Sequence, residues 1–253
     1  VSAPMIFPKS DSTFILRNRE EVVTFAAWLN KYQKAKLGFS SNHLSLVDVY
    51  DQLQERIDGG RVFTALLDIQ INYILLARDR RESLAIRNTY FPAIFRISKD
   101  GSVTFRSEGS TVFDSEENFF GKMEIQRAST TFVLKFRAMF DKIMGFIILM
   151  FAPAEYEAFS KARRKRNSFA KIAGKIPQVP NELVAQIEEL LTRFDNTFRT
   201  SEAHGTGVLR KWVFLMDSHW TNPQGELMDY WNFLVKLMVN IGKLFRNVKP
   251  NKD

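Results

Sequence analysis

Ile143-Met144-Gly145-Phe146-Ile147-Ile148-Leu149-Met150-Phe151-Ala152 decides how this chain must fold, and Pro153 closes the stretch. The run is ten residues long and carries no charge. A membrane span needs roughly 20 residues, and Lys135, Arg137, Asp141 and Lys142 stand just ahead of it. It therefore reads as a buried segment of a soluble protein. Phe132, Phe136, Met139 and Phe140 extend it upstream at helical spacing, which predicts a helix from near Thr130 with a wide apolar stripe.

Pro153 ends that helix or starts the next. The next is predicted to run to about Ala173, with Gly174 as its stop. Its window Lys161 to Lys175 holds seven basic side chains and no acidic one. The whole chain has 36 basic and 28 acidic residues, a formal charge of +8, so the remainder, at 29 against 28, is nearly neutral. At the helical period, Lys161, Arg164, Lys165, Ser168, Lys171 and Lys175 fall near one face, and Tyr156, Phe159, Phe169, Ile172 and Ala173 mostly on the other. Like charges at these spacings repel by a few tenths of a kcal/mol, about 0.2–0.5 per pair. Such a ridge is either a solvated face or the seat of a polyanion. Arg163 to Arg166 also fits a nuclear-import tag. Ser168 sits in a basic context suited to phosphorylation, which would cut the local charge.

Elsewhere the chain reads as helices separated by turns. Residues 1–12, with Pro4 and Pro8, form an N-terminal arm, and Thr13 to Arg17 a short strand. Asn18 and Glu21 form a capping box for a helix stopped by Gly38, with Val22, Phe25, Ala26, Leu29 and Tyr32 inward. A second helix spans about Leu44 to Asp58 and ends at Gly59-Gly60. A third, Arg61 to Arg81, is apolar nearly all round and belongs at the centre of its lobe. Its last arginines, Arg78, Arg80 and Arg81, suit the negative end of the helix dipole. Alternating runs on either side of Lys99-Asp100-Gly101-Ser102 predict a β-hairpin over 93–106, and Ser107 to Asn118 a loop. Asn181 caps a helix running to Phe198. A short helix, Val208 to Ser218, and a last one, Glu226 to Asn247, complete the chain. The fold class is mainly α, roughly eight helices with a small antiparallel β-hairpin, in a two-lobed helical body. The arm is followed by an N-terminal lobe at 13–115 and a helical C-terminal lobe at 116–253.

Absent residues narrow the chemistry. The chain has no cysteine, which excludes disulfides, thiol nucleophiles and Cys-based metal sites. His43, His204 and His219 are the only histidines and lack metal-ligand spacing. No P-loop and no GxSxG motif occurs. Gly205-Thr206-Gly207 could cradle a phosphate, and Asp68, inside an apolar helix, reads as a buried, paired acid. No catalytic residue, metal or cofactor is expected, and the chain is not read as an enzyme.

The expected function is sequence-independent binding of nucleic acid, RNA in preference to DNA. The residues expected to carry it are Lys161, Arg163, Arg164, Lys165, Arg166, Lys171 and Lys175, extended by Arg96 and Arg106 on the hairpin. Arginine forks suit phosphate, and counterion release rewards clustered cations. Phe159, Phe169 and Trp212 are candidates for base stacking. By analogy of architecture this suits a nucleocapsid or coat protein, a viral structural protein that self-associates through its N-terminal arm. The setting is then the cytoplasm or a virion, with the nucleus open; Val1 to Asp11 has no signal-peptide pattern. Two alternatives stand. One is a peripheral or matrix-type protein on an anionic membrane, docked with the help of the Phe-rich segment 132–151. The other is a helical interaction scaffold with no polyanion.

Overall fold

The structure, a computed structural model, describes residues 18–38, 45–54, 56, 58–97, 99–100, 103–105, 116–200 and 223–247. It is mainly helical. The helices are α1 (Arg19–Leu37), α2 (Leu46–Leu53), α3 (Gly59–Ile94), α4 (Glu116–Phe151), α5 (Tyr156–Lys161), α6 (Lys165–Ala173), α7 (Asn181–Phe194) and α8 (Pro223–Asn247). Two three-residue strands, β1 (Phe95–Ile97) and β2 (Val103–Phe105), pair antiparallel, with Arg96 opposite Thr104. The arm, the strand at Thr13 to Arg17 and the helix at Val208 to Ser218 lie outside the described residues.

The chain forms two compact units, each built from separated segments. The first comprises Val1–Ile74, Met139–Glu189 and Trp231–Asp253; the second comprises Leu75–Ala138 and Leu190–Tyr230. In the first unit, α1 begins as its sequence requires. The Asn18 side chain accepts from the Glu21 N–H at 2.9 Å, and Gly38 closes the helix at φ 75 by donating to the Lys34 carbonyl at 3.0 Å. The positive φ favours glycine. Arg19 donates twice to Asp51, tying α1 to α2. The hydrogen bond and the charge of Asp51 raise the Arg19 guanidinium above its ordinary value. On α1 only Val22 of the expected inward residues is fully buried.

Helix α2 is shorter than predicted, and Gly59-Gly60 opens α3 instead of closing α2. The reason is a close approach: a side chain on Gly59 would meet the Leu53 carbonyl oxygen at 2.2 Å. Val62, Phe63, Leu66, Leu67, Ile69, Tyr73 and Ile74 of α3 are buried. By length and composition Gly59–Ile86 could cross a membrane, but 61% of its most apolar window is buried inside the protein, as in a core helix. Helix α3 runs on to Ile94, so Ala93 and Ile94 are helical and not strand. Arg78, Arg80 and Arg81 therefore lie inside a 36-residue helix. The dipole role expected of them fails, because that field acts only at the last turn.

Helix α4 starts at Glu116, well before Thr130. Its predicted stripe is fully buried, and from Ile143 to Met150 every residue is buried. Around these last turns the first unit places Phe140 stacked on Phe233 at 6.3 Å and the Arg56 guanidinium donating to the Leu149 carbonyl at 3.2 Å. Asp68 is half-buried, paired with Lys142 and held by the Asn72 amide at 2.8 Å. It is paired as expected, though not buried.

The second unit has an aromatic centre. Phe136, Phe194, Phe198 and Tyr230 meet at centroid distances of 4.8–6.3 Å, and Arg193 donates to the Tyr230 hydroxyl at 3.0 Å. Helix α7 continues as one π-helical stretch, Asp195–Arg199, which carries Phe198 inward. Its first intrahelical bond comes from Val184 to the Pro180 carbonyl, so Asn181 is the first helical residue and not the cap. Arg137, 6% exposed, pairs with Asp195 at 2.9 Å. Asp195→Ala strips a buried cation of its carboxylate and should cost about 3 kcal/mol, read as a lowered urea midpoint. Asp195→Asn, which still accepts a hydrogen bond, should cost less.

Candidate nucleic-acid interface

Pro153 occupies the first position of a single 3₁₀ turn, Pro153–Glu155, which re-aims the chain after α4. Helix α5 then lies on α4 at Gly145. A Cβ placed there would stand 3.4 Å from the Phe159 ring and 3.6 Å from the Tyr156 ring. Both are ordinary contact distances, so the two rings pack against the helix at this point. Phe159 is 2% exposed and Phe169 of α6 is fully buried, so neither is available to stack on a base. Both anchor the segment. Trp212 lies outside the described residues.

The basic segment is not one helix. Ala162 is extended (φ −65, ψ 126) and Arg164 leaves helical geometry (φ −112, ψ 75), so α5 and α6 are separate. The single ridge expected from Lys161 to Lys175 is thereby broken at 162–164. Physically, one buried ring on each side of the break, Phe159 and Phe169, sets the direction of each short helix. The break also relaxes the repulsion that a continuous ridge would hold.

What the break produces is a cationic helix end. Arg163, Arg164, Lys165 and Arg166 surround the start of α6, where no side chain caps the backbone N–H groups and no acid stands in the first turn. A helix N-terminus is itself positive, and a cation there costs about 0.3–1 kcal/mol. Arg163 and Arg164 are exposed, and Lys165 and Arg166 half-exposed. Lys161 is neutralised by Glu157 at 2.7 Å, and the Lys165 ammonium rests 5.7 Å from the Phe159 ring centroid. Arg163, Arg164, Arg166, Lys171 and Lys175 form no ion pair with any carboxylate among the described residues.

Two features escaped the sequence reading. Arg61, exposed in the first turn of α3, stacks its guanidinium 4.5 Å from the Tyr156 ring centroid and so adds a cation beside α5. No sequence signal links residues so far apart. The second is a cleft of about 580 Å³ beside α6, lined by Phe151, Ser168, Lys171, Ile172, Lys175 and Gln178, with Glu155 among its other lining residues. The i, i+4 spacing of Lys171 and Lys175 was legible, but their cleft was not.

The remaining candidates belong to the second unit or lie outside the described residues. Arg96 belongs to the second unit, in β1. Arg106, His43, His204, His219 and Gly205-Thr206-Gly207 lie outside the described residues. Among the described residues no three His, Asp or Glu side chains gather in a way that could hold a metal ion. Comparison with protein-family models, with curated proteins and with solved structures finds no match to this chain.

Gly145 gives a direct check on how the segment is seated. Gly145→Ala puts a methyl group at ordinary contact distance inside a helix and should stay within about 1 kcal/mol of the parent in thermal unfolding. Gly145→Leu must push the Tyr156 and Phe159 rings away, and should destabilise by about 1–3 kcal/mol.

Proposed function

We propose that this protein binds the phosphate backbone of single-stranded nucleic acid, RNA in preference to DNA, without sequence specificity and without catalysis. The observation that supports it best is the start of α6. Four basic side chains crowd an uncapped, already positive helix end, and the arginines there have no carboxylate partner among the described residues. Each cation is disfavoured there until an anion arrives, and an anion can then accept from the backbone N–H groups and from a guanidinium fork together. Lys171, Lys175 and Arg61 add charge nearby in the sequence or the fold.

The wider reading is a self-associating nucleocapsid or coat protein of the cytoplasm or a virion, joined copy to copy by the arm at 1–12. The hairpin over 93–106, with Arg96 and Arg106, would extend the contact. The lipid alternative is less well supported, because Phe132, Phe136, Phe140 and Phe146 are buried and offer no apolar face to a bilayer.

Fluorescence anisotropy with a labelled oligouridylate between about 50 and 200 mM salt tests the reading. Log K should fall linearly with log salt. Replacing Arg163, Arg164 and Arg166 together with Glu should remove about two units of that slope, at about 0.7 per phosphate contact. Lys161→Gln should weaken binding less than the arginine replacements, since Lys161 lies outside the start of α6 and shares its charge with Glu157 in an exposed pair. A triple variant that binds like the parent overturns the assigned surface. Binding to phosphatidylserine vesicles with none to RNA overturns the ligand. Sizing with and without RNA checks self-association, which predicts large particles only with RNA.

A further inference from the structure

We propose that the cleft beside α6 receives one nucleotide of the bound strand, base inward and phosphate at the lysine edge. This rests on the backbone-binding reading above and adds where a base goes. At about 580 Å³ the cleft is of ligand-pocket size, within roughly 300–1,000 Å³. Its lining is divided in character. Phe151, half-exposed at the last position of α4, and Ile172 present ring and aliphatic surface. Every base has a π-face, so stacking there is tolerant of sequence. Lys171, in the last turn of α6, and Lys175, two residues beyond its end, are both exposed and neither is in an ion pair among the described residues. They match a phosphate as point charges. The Gln178 amide both donates and accepts and can meet a base edge, and the Ser168 hydroxyl can meet a ribose or phosphate oxygen. Glu155 also lines the cleft. Its charge opposes a phosphate placed beside it, whereas the lysines attract one.

Two strands of equal length, an oligouridylate and its abasic counterpart, carry the same phosphates and separate base from backbone. Titrated against the parent, the base-bearing strand should bind about five- to tenfold tighter. Ala158→Trp fills the cleft from an exposed position without touching a charge. It should abolish the difference between the strands and leave the salt slope intact. Phe151→Leu, with thermal unfolding as the folding check, should reduce the same difference. If the parent binds both strands equally, or a folded Ala158→Trp protein keeps the preference, the cleft assignment fails while backbone binding stands. If neither strand binds the parent, backbone binding fails and the cleft assignment falls with it.

Discussion

Eight consecutive buried residues, Ile143 to Met150, impose the constraint on which the first unit is built. A helix buried on every side must be wrapped, and each wrapping element meets it through a specific contact. Arg56 reaches the Leu149 carbonyl and Phe233 stacks on Phe140, while the α5 rings close over Gly145. The last contact has consequences beyond packing. Phe159 can be buried, with Tyr156 half-buried beside it, only if α5 turns back at Pro153, and its charged residues then face out. The burial of α4 thus decides where the cations of the following segment go.

Features set by local chemistry were legible in the sequence. The Asn18 cap and the left-handed Gly38 follow from their own side chains, and the α4 stripe follows from spacing. Features set by distant contacts were not. Gly59 looks like a stop but is required by the Leu53 carbonyl across a turn. Pro92 looks like the start of a strand, yet α3 carries it two residues before its end. Residues 116–129 mix charge and apolar character too evenly to announce a helix. The break at Ala162–Arg164 has no glycine or proline to mark it, because competing burial of Phe159 and Phe169 sets it. Each compact unit draws on widely separated segments, which no scan along the chain for composition shifts reveals.

The cations of the basic segment stand out against how the rest of the described chain handles charge. Arg19 meets Asp51, Arg127 meets Glu124, Lys135 meets Asp79, Arg137 meets Asp195, and Lys142 meets Asp68. Apart from the buried Arg137–Asp195 pair, such pairs contribute only about 0–1 kcal/mol, so their absence around α6 is no loss of stability worth selecting against. Its effect is on the field. Seven cations in fifteen residues with one local acid partner, Glu157, leave a potential that pairing elsewhere has flattened.

That potential also divides along α6. At its start, exposed arginines and free backbone N–H groups favour an anion held by several donors at once. Toward its end, Lys171 and Lys175 border a cleft with an apolar lining, where a charge and a flat ring can be met together. A free phosphate satisfies only the first arrangement and an uncharged aromatic only the apolar lining of the second. A strand of linked nucleotides has both groups at every repeat, so on the proposed reading a single polymer occupies the two ends of the helix, and its affinity would contain a salt-sensitive part and a salt-insensitive one.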